Sequence, residues 1–256
     1  MTQKTSWGGV AGWYDDMLEN SEDSYQKNVI MPNLVRLVEP KKDMTILDVA
    51  CGQGYFSNAF AEHGAKVIGC DISAELIELA KKNNQKEKAV EFHISPADSI
   101  PFMTDKSADK ITIVLAIQNI ENLAGTLAEC SRILKSDGRL FIILNHPTFR
   151  IPQNSSWQWD GKIGKQYRRI DSYMSDQMSK IDMTPGELDN YKKKFTVTFH
   201  RPLQSYFKAL NKAGLSVARL EEWISHRKSQ KGPRGDEEDR TRKEIPLFMC
   251  LECVRR

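Results

Sequence analysis

Ile46-Leu47-Asp48-Val49-Ala50-Cys51-Gly52-Gln53-Gly54-Tyr55 is the stretch on which the reading of this chain turns. An apolar run ends in an acid, a Gly-x-Gly turn follows, and the residues after it suit a helix. Glycines serve such a turn because the backbone must bend tightly and let a ligand approach where a side chain would collide. Further on, a second apolar run (66–71) ends in Asp71. A carboxylate at that spacing can accept hydrogen bonds from both hydroxyls of a ribose, which predicts a nucleoside at the carboxyl ends of the first two strands. The plainer alternative makes Asp71 a cap for the helix that follows it.

Outward from this turn, residues 44–145 alternate short apolar runs with helical stretches, the pattern of βαβ units and a parallel sheet. Strands are expected at 44–50, 66–71, 89–94, 110–116 and 139–145, and helices at 54–63, 74–84 and 122–134, the last stopped by Ser136-Asp137-Gly138. Ahead of the core, helical segments near 9–18 and 22–38 read as a cap over the sheet (1–40). Beyond the core (41–146), residues 147–199 lose the alternation and are too long for a structureless loop, so a lid or functional insertion is expected. Within it 166–174 and 193–201 alternate like two strands paired with each other. Residues 200–256 resume the core with a helix (202–214) and strands at 216–224 and 246–254, separated by a charged stretch (225–244) that reads as a mobile exposed loop. The whole reads as one domain.

The glycine spacing separates two nucleoside classes. Dinucleotide sites use G-x-G-x-x-G, but Ser57 stands where the third glycine belongs. An acid also precedes the turn at Asp48, which suits a cationic ligand better than a pyrophosphate. S-adenosylmethionine (SAM) carries a sulfonium and an ammonium and no phosphate.

Asp48 to Gly54 together with Asp71 resembles the first motif and second-strand acid of class I SAM-dependent methyltransferases of the small UbiE-like type. The resemblance implies an α/β Rossmann-like fold: a seven-stranded sheet, its last strand antiparallel, with helices on both faces. It implies SAM as cofactor, held by Asp48, Ala50, Gly52, Gln53 and Gly54 beside the methionine part and by Asp71 and Ile72 at the ribose. Ala97, Asp98 and Ser99 would flank the adenine, and Ala116 to Gln118 would lie beside cofactor and acceptor.

Methyl transfer needs alignment of an acceptor lone pair, and a base only where the acceptor must lose a proton. His146, directly after the fifth strand, and His200, at the end of the second lid strand, are the candidate bases, with a hydrogen-bonded structural histidine as the alternative for each. Tyr14, Arg150, Tyr167 and Arg168 are candidate acceptor contacts, because guanidinium groups grip carboxylates and stack on rings. Adjacent Arg168 and Arg169 point to opposite faces of a strand, so one of them at most faces a pocket.

The net charge of +3 is far below that of a dedicated nucleic-acid binder. That charge neither requires nor excludes an anionic partner; the resemblance to the UbiE-like type implies a small-molecule acceptor, methylated on oxygen or nitrogen with carbon or sulfur left open, and an RNA or protein acceptor, or SAM binding without catalysis, is the alternative. Cys250 and Cys253 have metal-like spacing, but residues three apart on a strand face opposite ways, so no metal is expected. The five scattered cysteines and the lack of a leader-like or membrane-spanning run point to the cytoplasm, with a monomer or homodimer expected.

Overall fold

The computed structural model describes residues 7–10, 12, 22–84, 90–184, 186, 189 and 193–256. The expected helix at 9–18 therefore lies largely outside the described residues, and Tyr14 does so entirely. A π-helical turn (Gln26–Ile30) runs into α1 (Met31–Val38), whose Leu34, Leu37 and Val38 are buried. Left-handed Glu39 (φ 50°) ends that helix ahead of Pro40.

The core alternates β1 (Thr45–Val49), α2 (Tyr55–Glu62), β2 (Lys66–Asp71), α3 (Ala74–Asn83), β3 (Val90–Ile94), β4 (Ala108–Val114), α4 (Leu123–Ile133) and β5 (Leu134–Asn145). After the insertion come α5 (Leu203–Lys212), β10 (Leu215–Trp223), α6 (Gly235–Glu244) and β11 (Phe248–Arg255). The seven-stranded sheet has the order β10-β11-β5-β4-β1-β2-β3. Only β11 runs against the others, pairing antiparallel with both β5 and β10. The Rossmann-like fold expected from the turn is the fold observed.

Both faces of the sheet are covered, which is why the inner strands read as unbroken apolar runs. Alternate residues serve opposite layers: Leu47 and Val49 pack with α4 and α5 through Leu127, Ile133 and Leu210, whereas Ile46 packs with α1, α2 and α3 through Leu34, Phe60 and Ile77. Cys250 and Cys253 obey the same rule and fall in different layers.

Three expectations are corrected. The two alternating lid stretches do not pair with each other. Instead β7 (Lys165–Ile170) pairs with β6 (Ser155–Asp160) across a short turn, and β9 (Phe195–His200) pairs with β8 (Gln177–Asp182), giving two separate hairpins. The charged stretch is half helical: α6 carries Asp236, Glu237 and Glu238 in its first turn and Arg242 and Lys243 in its last, complementing the helix dipole. Ion pairs three and four residues apart, Arg240–Glu237 and Arg242–Glu238, support it further. Ser136 to Gly138 do not separate a helix from a strand; they lie inside β5, where its register against β4 shifts.

Candidate cofactor cleft and adjoining chamber

The carboxyl ends of β1, β2 and β4 open into a cleft of about 770 Å³, counted with its open mouth. That is room for a nucleoside-sized ligand. β1 hands the chain to a turn in which Ala50, Gly52 and Gly54 all take positive φ (56°, 58° and 82°). The two glycines do different things. A Cβ on Gly52 would meet no atom within 4 Å, so this position leaves room on the ligand side. On Gly54 it would lie 2.7 Å from Phe92 Cζ, so this position seats the start of α2 against the sheet.

Beneath the turn, Asp48 is buried and accepts hydrogen bonds from Ser57 Oγ (2.6 Å) and Thr112 Oγ1 (2.8 Å). Burial pushes its carboxyl up to about 6, against the pull of those two hydroxyls. Asp71 is likewise buried and raised by desolvation; it accepts from the backbone N–H of Gly52 (3.1 Å) and of Ser73 (2.9 Å). Its link to Gly52 ties the ends of β1 and β2 into one rim. Ser73, not Asp71, caps α3, accepting from Leu76 N at 3.2 Å.

Asp48, Ala50, Gly52, Gln53, Asp71, Ile72 and Ala116 line this cleft. Gly54 stands behind it. Ala97, Asp98 and Ser99 are not in its lining; Ala97 packs against the core and Asp98 accepts from Asn122 Nδ2 at 2.6 Å. Trp7, Tyr55, Leu76, Leu115 and Asn119 also line it, and none of them is a site residue in the sequence reading. Leu115 has φ 53°, an unusual conformation for a branched residue, and its carbonyl accepts from both Gln118 Nε2 (2.7 Å) and Asn119 Nδ2 (3.3 Å). Two features fit a polar, nucleoside-bearing ligand such as SAM: the vacancy over Gly52, and buried Gln53 Nε2, which has no hydrogen-bond partner among the described residues.

A second chamber adjoins the cleft, sharing Trp7, Leu115 and Asn119 with it. It spans about 1050 Å³, counted the same way, and lies between the sheet rim and both hairpins. Arg150, Arg168 and Gln118 line it, so Gln118 belongs here and not to the cleft. A small side lobe adds His200, Arg201 and Tyr206. Arg168 is fixed by Nε donating to the Phe149 carbonyl and Nη2 to Ser155 Oγ, both at 2.8 Å. Arg169 points away and pairs with Asp171, and Tyr167 is half exposed on the outside.

The two candidate histidines differ. His146 is buried, its Nε2 lies 2.7 Å from Glu222 Oε1, and its Nδ1 accepts from Thr148 N at 3.3 Å. Both ring nitrogens are occupied, the ring lines neither the cleft nor the chamber, and burial lowers its proton affinity more than Glu222 restores it. His200 lines the side lobe; its Nε2 donates to the Tyr173 carbonyl at 2.8 Å, which leaves the ring lone pair on Nδ1.

Residues 47–142 match the family described as a methyltransferase domain. A demethylmenaquinone methyltransferase of Chlorobaculum parvum is 35% identical over 138 residues, 52% of this chain and 56% of that protein. The uncharacterized methyltransferase YcgJ of Bacillus subtilis is 30% identical over 149 residues, 57% of this chain and 56% of the relative. The chain thus spans about half the length of these curated relatives. The S-adenosylmethionine-dependent methyltransferase of Mesorhizobium loti superposes with a TM-score of 0.68 at 21% identity, covering 91% of this chain and 98% of its own, a likeness of fold. No helix among the described residues is long and apolar enough to cross a membrane.

Proposed function

We propose that this protein, whose residues 47–142 match a methyltransferase-domain family, is a cytoplasmic SAM-dependent methyltransferase whose acceptor is a small molecule, methylated on oxygen or nitrogen. The observation that carries this reading is the pairing of a nucleoside-sized cleft with a second chamber that opens off it at Leu115 and Asn119. SAM, when bound, supplies an electrophilic methyl group on sulfur, which an acceptor lone pair displaces in line. The chain's part is to hold and align the two reactants, and proximity of this kind can supply much of the acceleration.

Asp71 accepts hydrogen bonds from the ribose hydroxyls, and the vacancy at Gly52 admits the methionine part close to the backbone. Gln53 Nε2 finds an acceptor there that the protein does not provide. Asp48 sets a negative charge under the turn, favourable to a cation above it. Ile72 and Leu76 give the cleft an apolar wall. Where the acceptor must lose a proton, His200 Nδ1 in the side lobe is the base; His146 holds the end of β5 to β10 through Glu222.

Calorimetric titration with SAM, its demethylated product and NADH tests the cofactor assignment. Incubation with methyl-labelled SAM and separate small-metabolite and RNA extracts tests the acceptor. Saturable binding of SAM and product but not NADH, with label in the small-metabolite fraction, is expected. Label in RNA would replace the small-molecule acceptor, and failure to bind SAM would overturn the assignment altogether.

A further inference from the structure

Among the described residues the chamber beside the cleft is lined by two arginines from the insertion and by no acid: Arg150 and Arg168 face a space whose described lining holds neither Asp nor Glu, and that of the side lobe holds none either. Among the described residues no carboxylate lies within ion-pair distance of either guanidinium, although most other arginines of the chain have such a partner. Arg168 spends two donors on Phe149 and Ser155, which fix its orientation; the guanidinium of Arg150 has no hydrogen-bond acceptor among the described residues and keeps its whole fork. A separate observation comes from Gln118. This residue is 9% exposed, its Nε2 donates to the Leu115 carbonyl, and its buried Oε1 has no donor among the described residues. Among the described residues the chamber thus holds two cations without an anion and an acceptor without a donor, Arg150 and Gln118 also sharing the side lobe. Ile151, Pro152, Ile181 and Met183 line the same chamber and give it an apolar surface.

Resting on the methyltransferase reading above, we propose that the acceptor is an apolar-bodied carboxylic acid that also carries an O–H or N–H group, its carboxylate held by Arg150 and Arg168 and its donor by Gln118 Oε1. A planar carboxylate matches the free fork of Arg150 bidentately. Burial lowers the proton affinity of both guanidinium groups, and each lies close enough to the other for Arg150 to depress Arg168 further. An anion between them relieves both effects. Gln118 sits on the 3₁₀ turn (Ile117–Asn119) whose flanking Ala116 and whose Asn119 line the cofactor cleft, so a donor held by Gln118 stands at the junction of the two spaces.

The test is a titration of the full chain, saturated with S-adenosylhomocysteine, by 2-, 3- and 4-hydroxybenzoate and 2-aminobenzoate against their neutral primary amides. At least one acid is expected to bind about tenfold or more tightly than its amide, the scale of a charge-assisted hydrogen bond. That preference should fall to within about twofold in Arg150→Gln and in Arg168→Gln, with S-adenosylhomocysteine affinity unchanged. Amides binding as well as acids, binding by neither series, or a preference that survives both substitutions would each overturn the proposal. The wild-type comparison stands if a variant fails to fold. A chain that takes up S-adenosylhomocysteine and labels only neutral acceptors removes this inference and leaves the methyltransferase reading intact. One that does not bind S-adenosylhomocysteine removes both.

Discussion

The cleft and the chamber lie side by side yet are built from different materials. The cleft is made of strand ends, a turn with three positive-φ residues and two buried carboxylates, each held by donors from the sheet, the turn or the start of a core helix: Asp48 by Ser57 and Thr112, Asp71 by Gly52 and Ser73. The chamber is walled by long side chains carried on two hairpins and the segment leading into them, with guanidinium groups where the cleft has carboxylates. Backbone and register are properties of the fold and are shared with many sequences. Side chains on inserted hairpins can change without disturbing the sheet, so the cleft suits a ligand common to a family and the chamber one particular to this chain.

That contrast predicts where substitutions will be felt. Gly54→Ala, which forces a Cβ against Phe92 at a positive φ, should destabilise the fold by about 2–5 kcal/mol in denaturant titration. Gly52→Ala should cost only about 1 kcal/mol and act mainly by weakening SAM binding. Equal losses of stability would mean that the two glycines share one role.

Asp48 gives the next largest effect. A folded-state rise from 3.8 to about 6 makes the folded state the stronger proton binder between those values, so this group's contribution to stability falls as pH rises through that window and stays low above it. The span corresponds to about 3 kcal/mol. The difference in Tm between Asp48→Asn and the parent should therefore move in favour of the variant from pH 4 to pH 7, and a difference that is flat with pH would place the group's titration elsewhere.

Asp71→Ala should weaken SAM affinity by about 1–3 kcal/mol, the scale of lost charge-assisted hydrogen bonds, with little change in the binding of a chamber ligand. Unchanged SAM affinity would take Asp71 out of the site. The smallest effect on function is expected at His146. Its lowered proton affinity means that its contribution to stability is complete above about pH 6.5 and is lost as pH falls below that. His146→Ala should cost about 1–2 kcal/mol of stability at neutral pH and leave turnover per folded molecule near the parent's. A collapse of turnover with stability intact would instead make His146 catalytic.

The legibility of the molecule in its sequence follows the same division. Asp48, the two glycines and Asp71 were readable because a parallel strand buried on both faces is an unbroken apolar run, and the residues that interrupt it mark the strand ends. The lid strands were readable as strands but not as pairs: alternation specifies a pleated, half-buried segment and says nothing of its partner. The expectation that Ala116 to Gln118 lie beside cofactor and acceptor does not say which residue faces which space; side chains in a 3₁₀ turn repeat every three residues, so Ala116 and Asn119 line the cleft and Gln118 the chamber. Trp7 and Leu115 gave no local signal, since tertiary packing alone brings them to the wall. Helix α6 was hidden because a helix polar on nearly every side, supported by its own ion pairs, has no apolar stripe to betray it.

That helix has one more consequence. Glu237 on α6 accepts from Lys165 Nζ (3.4 Å) and Gln166 N (3.2 Å) at the start of β7, and Arg234 just before the helix stacks on Trp159 of β6 (4.7 Å). The hairpin bearing Arg168 is thus moored to the rest of the molecule largely through charged groups near solvent, whereas the cofactor rim is moored through buried hydrogen bonds. Dissolved ions weaken the first kind of mooring and scarcely touch the second. Raising ionic strength is therefore expected to act as a dial with two scales, loosening the grip on a chamber ligand while leaving the grip on a cleft ligand nearly where it was.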